Sequence, residues 1–363
     1  TDIAPLPETG QAHWAETSDG KKLRVAHWPL DGAKGTVLLF PGRTEYVEKY
    51  AMTAGAFAKK GLAVMAIDWR GQGLSDRLIP DRNIGHVDVF SDYQKDVAAM
   101  MRTARALQLP RPYFLLAHSM GGAIGLRACM EGLSVQAAAF TAPMWGIHIA
   151  PHMRLVAAGL SNLMPRIGQG YKLPMGTQAA SYISTAPFEN NMLTTDPEMY
   201  EMMRTQLAAH PELSLGGPSF IWLREALSET KHLSLRAAPS LPCATFLGSN
   251  ERIVHKGRIH ARMETWKGGK LHMIDGAEHE VLMEIPATRD KAVDEMAALF
   301  FGNVSVGAHT WIGPCVILDG SGAELTIGDF CDISAGVQIW THGTELRCVS
   351  LGEISASHGA VSV

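Results

Sequence analysis

The sequence lacks the patterns that would tie it to a structural metal, a nucleic acid or a bilayer. Its 363 residues hold five Cys, at 129, 243, 315, 331 and 348, without a C-x-x-C pair or zinc-ligand spacing, so neither a disulfide framework nor a Cys-based metal site is expected. Charge is sparse and nearly balanced, 32 Lys and Arg against 36 Asp and Glu, with no basic tail or stripe, which argues against a nucleic-acid partner. No apolar run is long enough to cross a bilayer, and the start from Thr1 to Leu6 has neither the basic nor the apolar segment of a secretory signal. The expected location is therefore cytoplasmic. The length allows one large domain with an insertion, or two modest domains.

What is present is an alternation of short apolar runs with segments of helical period. Lys22 to Trp28 and Thr36 to Phe40 are β-rich and separated by Pro29-Leu30-Asp31-Gly32, which predicts an opening hairpin leading into a buried strand. Tyr46 to Lys60 has near-helical apolar spacing and stops at Gly61, and Ala63 to Ile67 reads as a strand. Strand, helix and strand with short links predict a right-handed parallel crossover. A helix is expected over Ser91 to Leu107 and a strand over Ala137 to Phe140. From His148 to Arg236 the pattern turns helical with no convincing strand, and Asp196-Pro197 offers an N-cap and a first-turn Pro. Eight of the 18 Met fall between 144 and 203, and Met suits a surface that repacks around flexible apolar chains. The alternation resumes at Cys243 to Leu247 and ends with a strand over Lys270 to Ile274 and a helix over Ala287 to Phe301. The expected class is α/β, a mostly parallel sheet with helices on both faces. Residues 1–147 and 237–301 form its core and 148–236 an inserted helical lid.

The tail, 302–363, follows another rule. Aliphatic residues recur at 306, 312, 318, 327, 333 and 339, four of them followed by Gly or Ser, as in a hexapeptide repeat of a left-handed β-helix. About two coils are covered, and from Glu345 onward the period is lost and the chain reads as a frayed end.

The chemistry centres on Phe114 to Gly122, an apolar run, then Ala117-His118-Ser119-Met120-Gly121, then a helical continuation. This is the pattern of a nucleophile elbow, in which small flanking residues accommodate a strained strand-to-helix turn with Ser119 at its apex. A Ser needs a base and a group to orient that base. His279 lies in the loop after the last predicted strand and Glu251 directly after the strand before it. Both loops leave the carboxyl ends of sheet strands, where open α/β sheets place ligand groups. The order Ser119, Glu251, His279 is the Ser, acid, His order of α/β-hydrolases. His118 is expected to point away from the apex, and Asp275, Glu278 and Glu280 read as surface charges. The turn Pro41-Gly42-Arg43-Thr44 can aim backbone N–H groups at a reacting oxygen.

Five motifs in order resemble the lysophospholipase and monoacylglycerol lipase family of α/β-hydrolases over about residues 10–301. They are Pro41-Gly42-Arg43-Thr44-Glu45, Asp68-Trp69-Arg70-Gly71-Gln72-Gly73-Leu74-Ser75, Ala117-His118-Ser119-Met120-Gly121-Gly122, Gly248-Ser249-Asn250-Glu251-Arg252 and Gly276-Ala277-Glu278-His279. The resemblance implies a serine hydrolase acting on carboxylic esters of single-chain lipids through an acyl-enzyme, without metal or cofactor. Ser119 would be its nucleophile, His279 its base and Glu251 its acid, with the backbone N–H groups of Arg43 and Met120 as the oxyanion hole. The chain departs from the family pattern at Pro41 where His is usual, at Ala117 where Gly is usual, and at Glu251 where many members have Asp. The tail resembles a fragment of the hexapeptide acyltransferases, with His342 placed like their active-site His, and an oligomer could form through it. The implied partner is a small lipid ester, with transient contact of the lid at the inner membrane face. Acyl transfer at the same Ser, or a silent ligand-binding scaffold, are the alternative functions.

Overall fold

The computed structural model describes residues 9–301, 304–319, 325–340, 342–343, 357–358 and 361–362. The chain divides into two compact units, Thr1–Val293 and Asp294–Val363.

The first unit is built on an eight-stranded sheet of β1 (Gln11–Glu16), β2 (Lys22–Trp28), β3 (Thr36–Phe40), β4 (Ala63–Ile67), β5 (Tyr113–His118), β6 (Ala138–Thr141), β7 (Cys243–Gly248) and β8 (Gly269–Ile274). Their order across the sheet is β1-β2-β4-β3-β5-β6-β7-β8. From β4 to β8 all pairings are parallel, while β2 runs antiparallel to both β1 and β4. Strands β3 to β7 are buried along their whole length, which is why they read as continuous apolar runs without alternation.

The helices that connect them include α1 (Ala51–Ala58), α2 (Tyr93–Ala106), α3 (Ser119–Met130) and α8 (Lys256–Thr265), α3 lying against β3, β5 and β6, and α9 (Pro286–Phe301) follows β8. One expectation is corrected here. Lys22 to Trp28 does not form a hairpin with Thr36 to Phe40: β2 turns back on β1 and pairs with β4, while β3 sits between β4 and β5. The edge strand β1 is largely exposed and carries few apolar residues, so its sequence gave little sign of a strand.

Between β6 and β7 the chain forms α4 (Arg154–Arg166), α5 (Tyr182–Thr185), α6 (Pro197–Ala209) and α7 (Phe220–Leu235), with no strand in the segment. Asp196 caps α6, its carboxylate accepting the N–H groups of Glu198 and Met199, with Pro197 in the first turn. Along α4 only Ser161 is buried, and Leu155 is 87% exposed. Among the described residues no helix is long and apolar enough to cross a membrane.

In the second unit, short strands pair in parallel at a constant offset of 21 residues: Val304 with Leu325, Trp311 with Asp332 and Ile317 with Gln338. Of the repeat positions, Ile327 and Ile333 are buried, whereas Val306 is 44% and Ile312 39% exposed. The expected frayed end is corrected in part. Residues 344–356 lie outside the described residues, but Val361 and Ser362 pair with Leu325 and Thr326, and Ser357 and His358 with Gly343 and His342.

Candidate active site

Strands β3 and β5 are neighbours, yet the chain continues from β3 to β4 on one side and from β5 to β6 on the other. The crevice beyond their carboxyl ends is thus a topological switch point, where open α/β sheets bind ligands. β3 delivers Pro41 to Thr44 to this crevice, β5 delivers Ser119, β7 Glu251 and β8 His279.

Ser119 adopts φ 49°, in the left-handed region that a residue with a Cβ rarely occupies. The tight turn is possible because the chain is bare where it crowds itself: a Cβ on Gly121 would lie 2.1 Å from the carbonyl oxygen of Phe40. Ala117, the departure from the usual first Gly, is accommodated elsewhere. A Cβ at residue 125 would come 3.2 Å from the Ala117 methyl, and residue 125 is Gly.

The three predicted side chains meet. His279 Nε2 lies 2.9 Å from Ser119 Oγ, and His279 Nδ1 lies 2.6 Å from Glu251 Oε2. With Nδ1–H donating to the carboxylate, Nε2 is left to accept the Ser119 hydroxyl proton. Glu251 is itself fixed, since its other oxygen accepts the backbone N–H groups of Ile253 at 2.5 Å and Val254 at 2.9 Å. Burial would raise the Glu251 carboxyl, but His279 and these N–H donors outweigh it and hold it down to about 2. Burial would lower the His279 imidazole, yet Glu251 overcomes it and the net shift is upward. Met120 lies in the first turn of α3, whose N–H groups lack intrahelical acceptors, and Arg43 lines the same cavity as Ser119.

The loop after β3 is held from three sides. Trp69 Nε1–H donates to the Pro41 carbonyl at 2.9 Å, Gln72 Nε2–H to the Gly42 carbonyl at 2.8 Å, and the Glu45 carboxylate accepts the Gly42 N–H. Glu45 in turn pairs with Lys49 Nζ at 2.6 Å and accepts the Tyr50 hydroxyl at 2.6 Å, and Lys49 reaches Glu280 at 2.7 Å. Burial opposes ionisation of Glu45, but Lys49 prevails and its carboxyl falls to about 2. Sequence reasoning quoted Glu45, Trp69 and Gln72 inside motifs without giving them work. The available signal was the opposite charges of Glu45 and Lys49 four residues apart, Lys49 on the short helical turn that follows Glu45.

Glu280 and Glu278 are corrected from surface charges to buried ones, Glu278 with Arg252 beside it at 3.1 Å; Asp275 is exposed as expected. Neither Asp275 nor Glu278 bonds to His279. His118 has no hydrogen bond to Ser119, and its ring lies 4.8 Å from that of His279. Its Nδ1–H bonds the Thr141 carbonyl at 3.0 Å, and burial drives its pKa down to about 3, so it is neutral beside Glu45, 3.6 Å away. Glu45, His118 and Glu280 have donor atoms within 4.8 Å of one another, but the cation seated between the two carboxylates is the Lys49 ammonium.

These groups face a cavity of about 290 Å³. Gly42, His118, Ser119 and His279 form its floor from the sheet side. Tyr182, Ile183, Met192, Met203, Leu207 and Trp222, all from the inserted segment, supply an apolar roof. The roof is tied to the floor, because the N–H groups of His279 and Glu280 donate to the carbonyls of Met192 at 3.3 Å and Leu193 at 2.8 Å.

The family model described as serine aminopeptidase, S33 matches residues 31–286. The chain belongs to the serine aminopeptidase S33 family. The family match takes in all four loops of the crevice and ends before the tail. Within the similar proteins, lysophospholipase L2 of Escherichia coli is 33% identical over 275 residues, covering 73% of this chain and 79% of that protein. The monoglyceride lipase of Rattus norvegicus is 26% identical over 294 residues, 77% of this chain and 86% of that one. A crystal structure of a soluble variant of monoglyceride lipase from Saccharomyces cerevisiae, in complex with a substrate analogue, has the same fold. Its TM-score is 0.62 at 18% identity, covering 80% of this chain and 96% of that one. The α/β-hydrolase fold expected from the motifs is therefore the fold of the first unit.

Proposed function

We propose that the chain hydrolyses carboxylic esters of single-chain lipids, lysophospholipids or monoacylglycerols, through an acyl-enzyme on Ser119. The observation that carries this reading is the continuous hydrogen-bond line from Ser119 Oγ through His279 to Glu251, set beneath an apolar roof. The similar lysophospholipase and monoglyceride lipase sequences support the substrate class.

In the first half-reaction Ser119 Oγ attacks the ester carbonyl while its proton passes to His279 Nε2. The Glu251 carboxylate stabilises the imidazolium that forms. The N–H groups of Arg43 and Met120 receive the carbonyl oxygen as it becomes an alkoxide, Met120 with the added field of the α3 N-terminus. His279 then protonates the departing glycerol oxygen, and the fatty acyl group stays on Ser119. Water, deprotonated by the same imidazole, releases the fatty acid.

The inserted segment 148–236 acts as a lid over this chemistry. Its exposed apolar side chains on and near α4, including Met153, Leu155, Leu163 and Ile167, form the face that meets aggregated lipid, at the inner surface of a membrane facing the cytoplasm. The tail 302–363 is an appended β-helical module outside the catalytic unit, through which copies of the chain associate. A series of esters, glycerides and lysophospholipids of increasing chain length tests the substrate reading. Fatty acid release from long single-chain substrates should dominate, and exclusive turnover of peptide amides, or none with any ester, would overturn it.

A further inference from the structure

Among the described residues, Arg77 and Arg262 bond only carbonyls and lie outside the cavity, the cations around the catalytic loops are neutralised by carboxylates, and Arg43 lines the cavity without one. Lys49 has Glu45 and Glu280, Arg24 has Glu48 and Asp68, and Arg70 has Asp19 and Asp96. Arg43 has no carboxylate partner among the described residues. Its Nη1–H donates to the Gly216 carbonyl at 2.7 Å, and its guanidinium stands 5.6 Å from the centre of the Trp222 ring. The absence of a side chain at residue 85 leaves room for it, since a Cβ on Gly85 would come 3.0 Å from Nη1. Burial pushes its pKa down to about 10, so it stays charged at neutral pH. Arg43 and Trp222 both line the cavity that holds Ser119.

We infer that Arg43 is the specificity-determining residue for the leaving group, its guanidinium pairing with the phosphodiester of a lysophospholipid. The inference rests on the lipid-ester reading above and selects between its two substrate classes. A desolvated cation without a counterion is unfavourable, and a site retains one at least cost when the ligand brings the anion. A guanidinium suits this task because its planar fork of five donors matches phosphate oxygens, and only one of those donors has a protein acceptor here. The position within the chain fits as well. Arg43 is the residue whose own N–H the proposed mechanism assigns to the ester oxygen. In a lysophospholipid the glycerol separates ester from phosphate by about the length of an Arg side chain. A monoacylglycerol offers a neutral hydroxyl there and leaves the cation unpaired.

The test is a ratio, so that any common effect of substitution on the oxyanion loop cancels. The specificity constant kcat/KM is measured for a lysophosphatidylethanolamine and for a monoacylglycerol with the same acyl chain, both in one neutral detergent micelle. Active sites are titrated with a fluorophosphonate. Replacing Arg43 with Gln should lower the lysophospholipid to monoacylglycerol ratio by roughly 10- to 100-fold, mainly through KM, as expected for loss of a charged hydrogen bond. Arg43→Lys should keep most of the ratio. A second measurement needs no variant: the unmodified protein should be inhibited at least about tenfold more strongly by a non-hydrolysable ether lysophospholipid than by the matching alkylglycerol. A ratio that stays within about twofold in Arg43→Gln, or equal inhibition by the two ethers, overturns the role of Arg43 and leaves the lipid-ester reading standing. A protein that turns over neither lipid overturns both.

Discussion

Replacing Lys49 with Met should destabilise the protein strongly and make its stability rise in mild acid. The ammonium sits 2.6 Å from Glu45 and 2.7 Å from Glu280, and all three side chains are buried. At an effective dielectric of about 20, each contact has a gross attraction of roughly 6 kcal/mol, most of it cancelled by the cost of dehydrating the ions. Removing only the cation leaves that dehydration cost uncompensated, and breaking a buried pair in this way costs about 3–5 kcal/mol. A ceiling follows from protonation: forcing a carboxyl of ordinary pKa to stay neutral at pH 7 costs roughly 4 kcal/mol. In the variant the buried carboxylates have pKa values raised above their unfolded values, so the folded state binds more protons. Stability must then rise as the pH falls from 7 toward 5, by about 1.4 kcal/mol per unit for one carboxyl. In the unaltered protein burial shifts Glu280 upward while Lys49 holds Glu45 down to about 2, and the Glu45 contribution is present above the unfolded pKa and lost only as the pH falls from there through the folded one. Urea unfolding of Lys49→Met and of the double variant with Glu280→Gln, at pH 7 and pH 5, measures both effects. The double variant should recover about half the loss by removing one stranded charge. A loss under about 1 kcal/mol, or a flat pH response in the single variant, would refute the account.

Five further outcomes are expected. Ser119→Ala should abolish both ester turnover and fluorophosphonate labelling, and a labelled variant would remove Ser119 from its role. Glu251→Gln should cost on the order of 10⁴ in kcat, and a mild effect there with a severe one in Asp275→Asn would move the acid to Asp275. Because the His279 pKa is raised, kcat/KM should fall on the acid side at a pH above that of an ordinary His, the base being protonated below its pKa; Glu251→Gln should move that limb to lower pH. Leu155→Glu combined with Ile167→Glu should reduce turnover of vesicle-borne substrate relative to a short soluble ester, whereas equal loss of both would mean that α4 does not meet lipid. Truncation after Phe301 should keep turnover within about threefold while changing the association state, which analytical ultracentrifugation would read.

The strands that run through the core were legible because burial on both faces leaves an uninterrupted apolar run, as in Thr36 to Phe40 and Cys243 to Leu247. β1 was not, since a half-exposed edge strand such as Gln11 to Glu16 has no apolar signature of its own. Ser119, Glu251 and His279 could be located because each follows a recognisable strand, so their meeting depends on sheet topology more than on long-range packing. The supports of the oxyanion loop were not visible in the same way. Glu45 to Glu280 spans most of the first unit, and nothing local in either segment announces that a buried Lys will join them. Arg43 illustrates the limit from the other side: its motif was plain, but the lack of a counterion is a property of the folded surroundings.

The bonds that tie His279 and Glu280 to Met192 and Leu193 constrain how the cavity can admit a substrate. The same stretch is fastened further by Thr194 Oγ1–H to the Met283 carbonyl at 2.6 Å, by the Thr195 N–H to Glu284 at 3.0 Å, and by Arg252 to the Asn191 carbonyl at 2.8 Å. Residues 191–195 therefore behave as a doorframe, and the door has to swing elsewhere. If this stretch moved with the rest of the insertion, the imidazole would lose its backbone anchors whenever a lipid entered. In the proposed lid, opening would then be confined to the chain ahead of it, from α4 through α5, where side chains are largely exposed. A lipid can come and go through that side while the proton-transfer line stays assembled between turnovers.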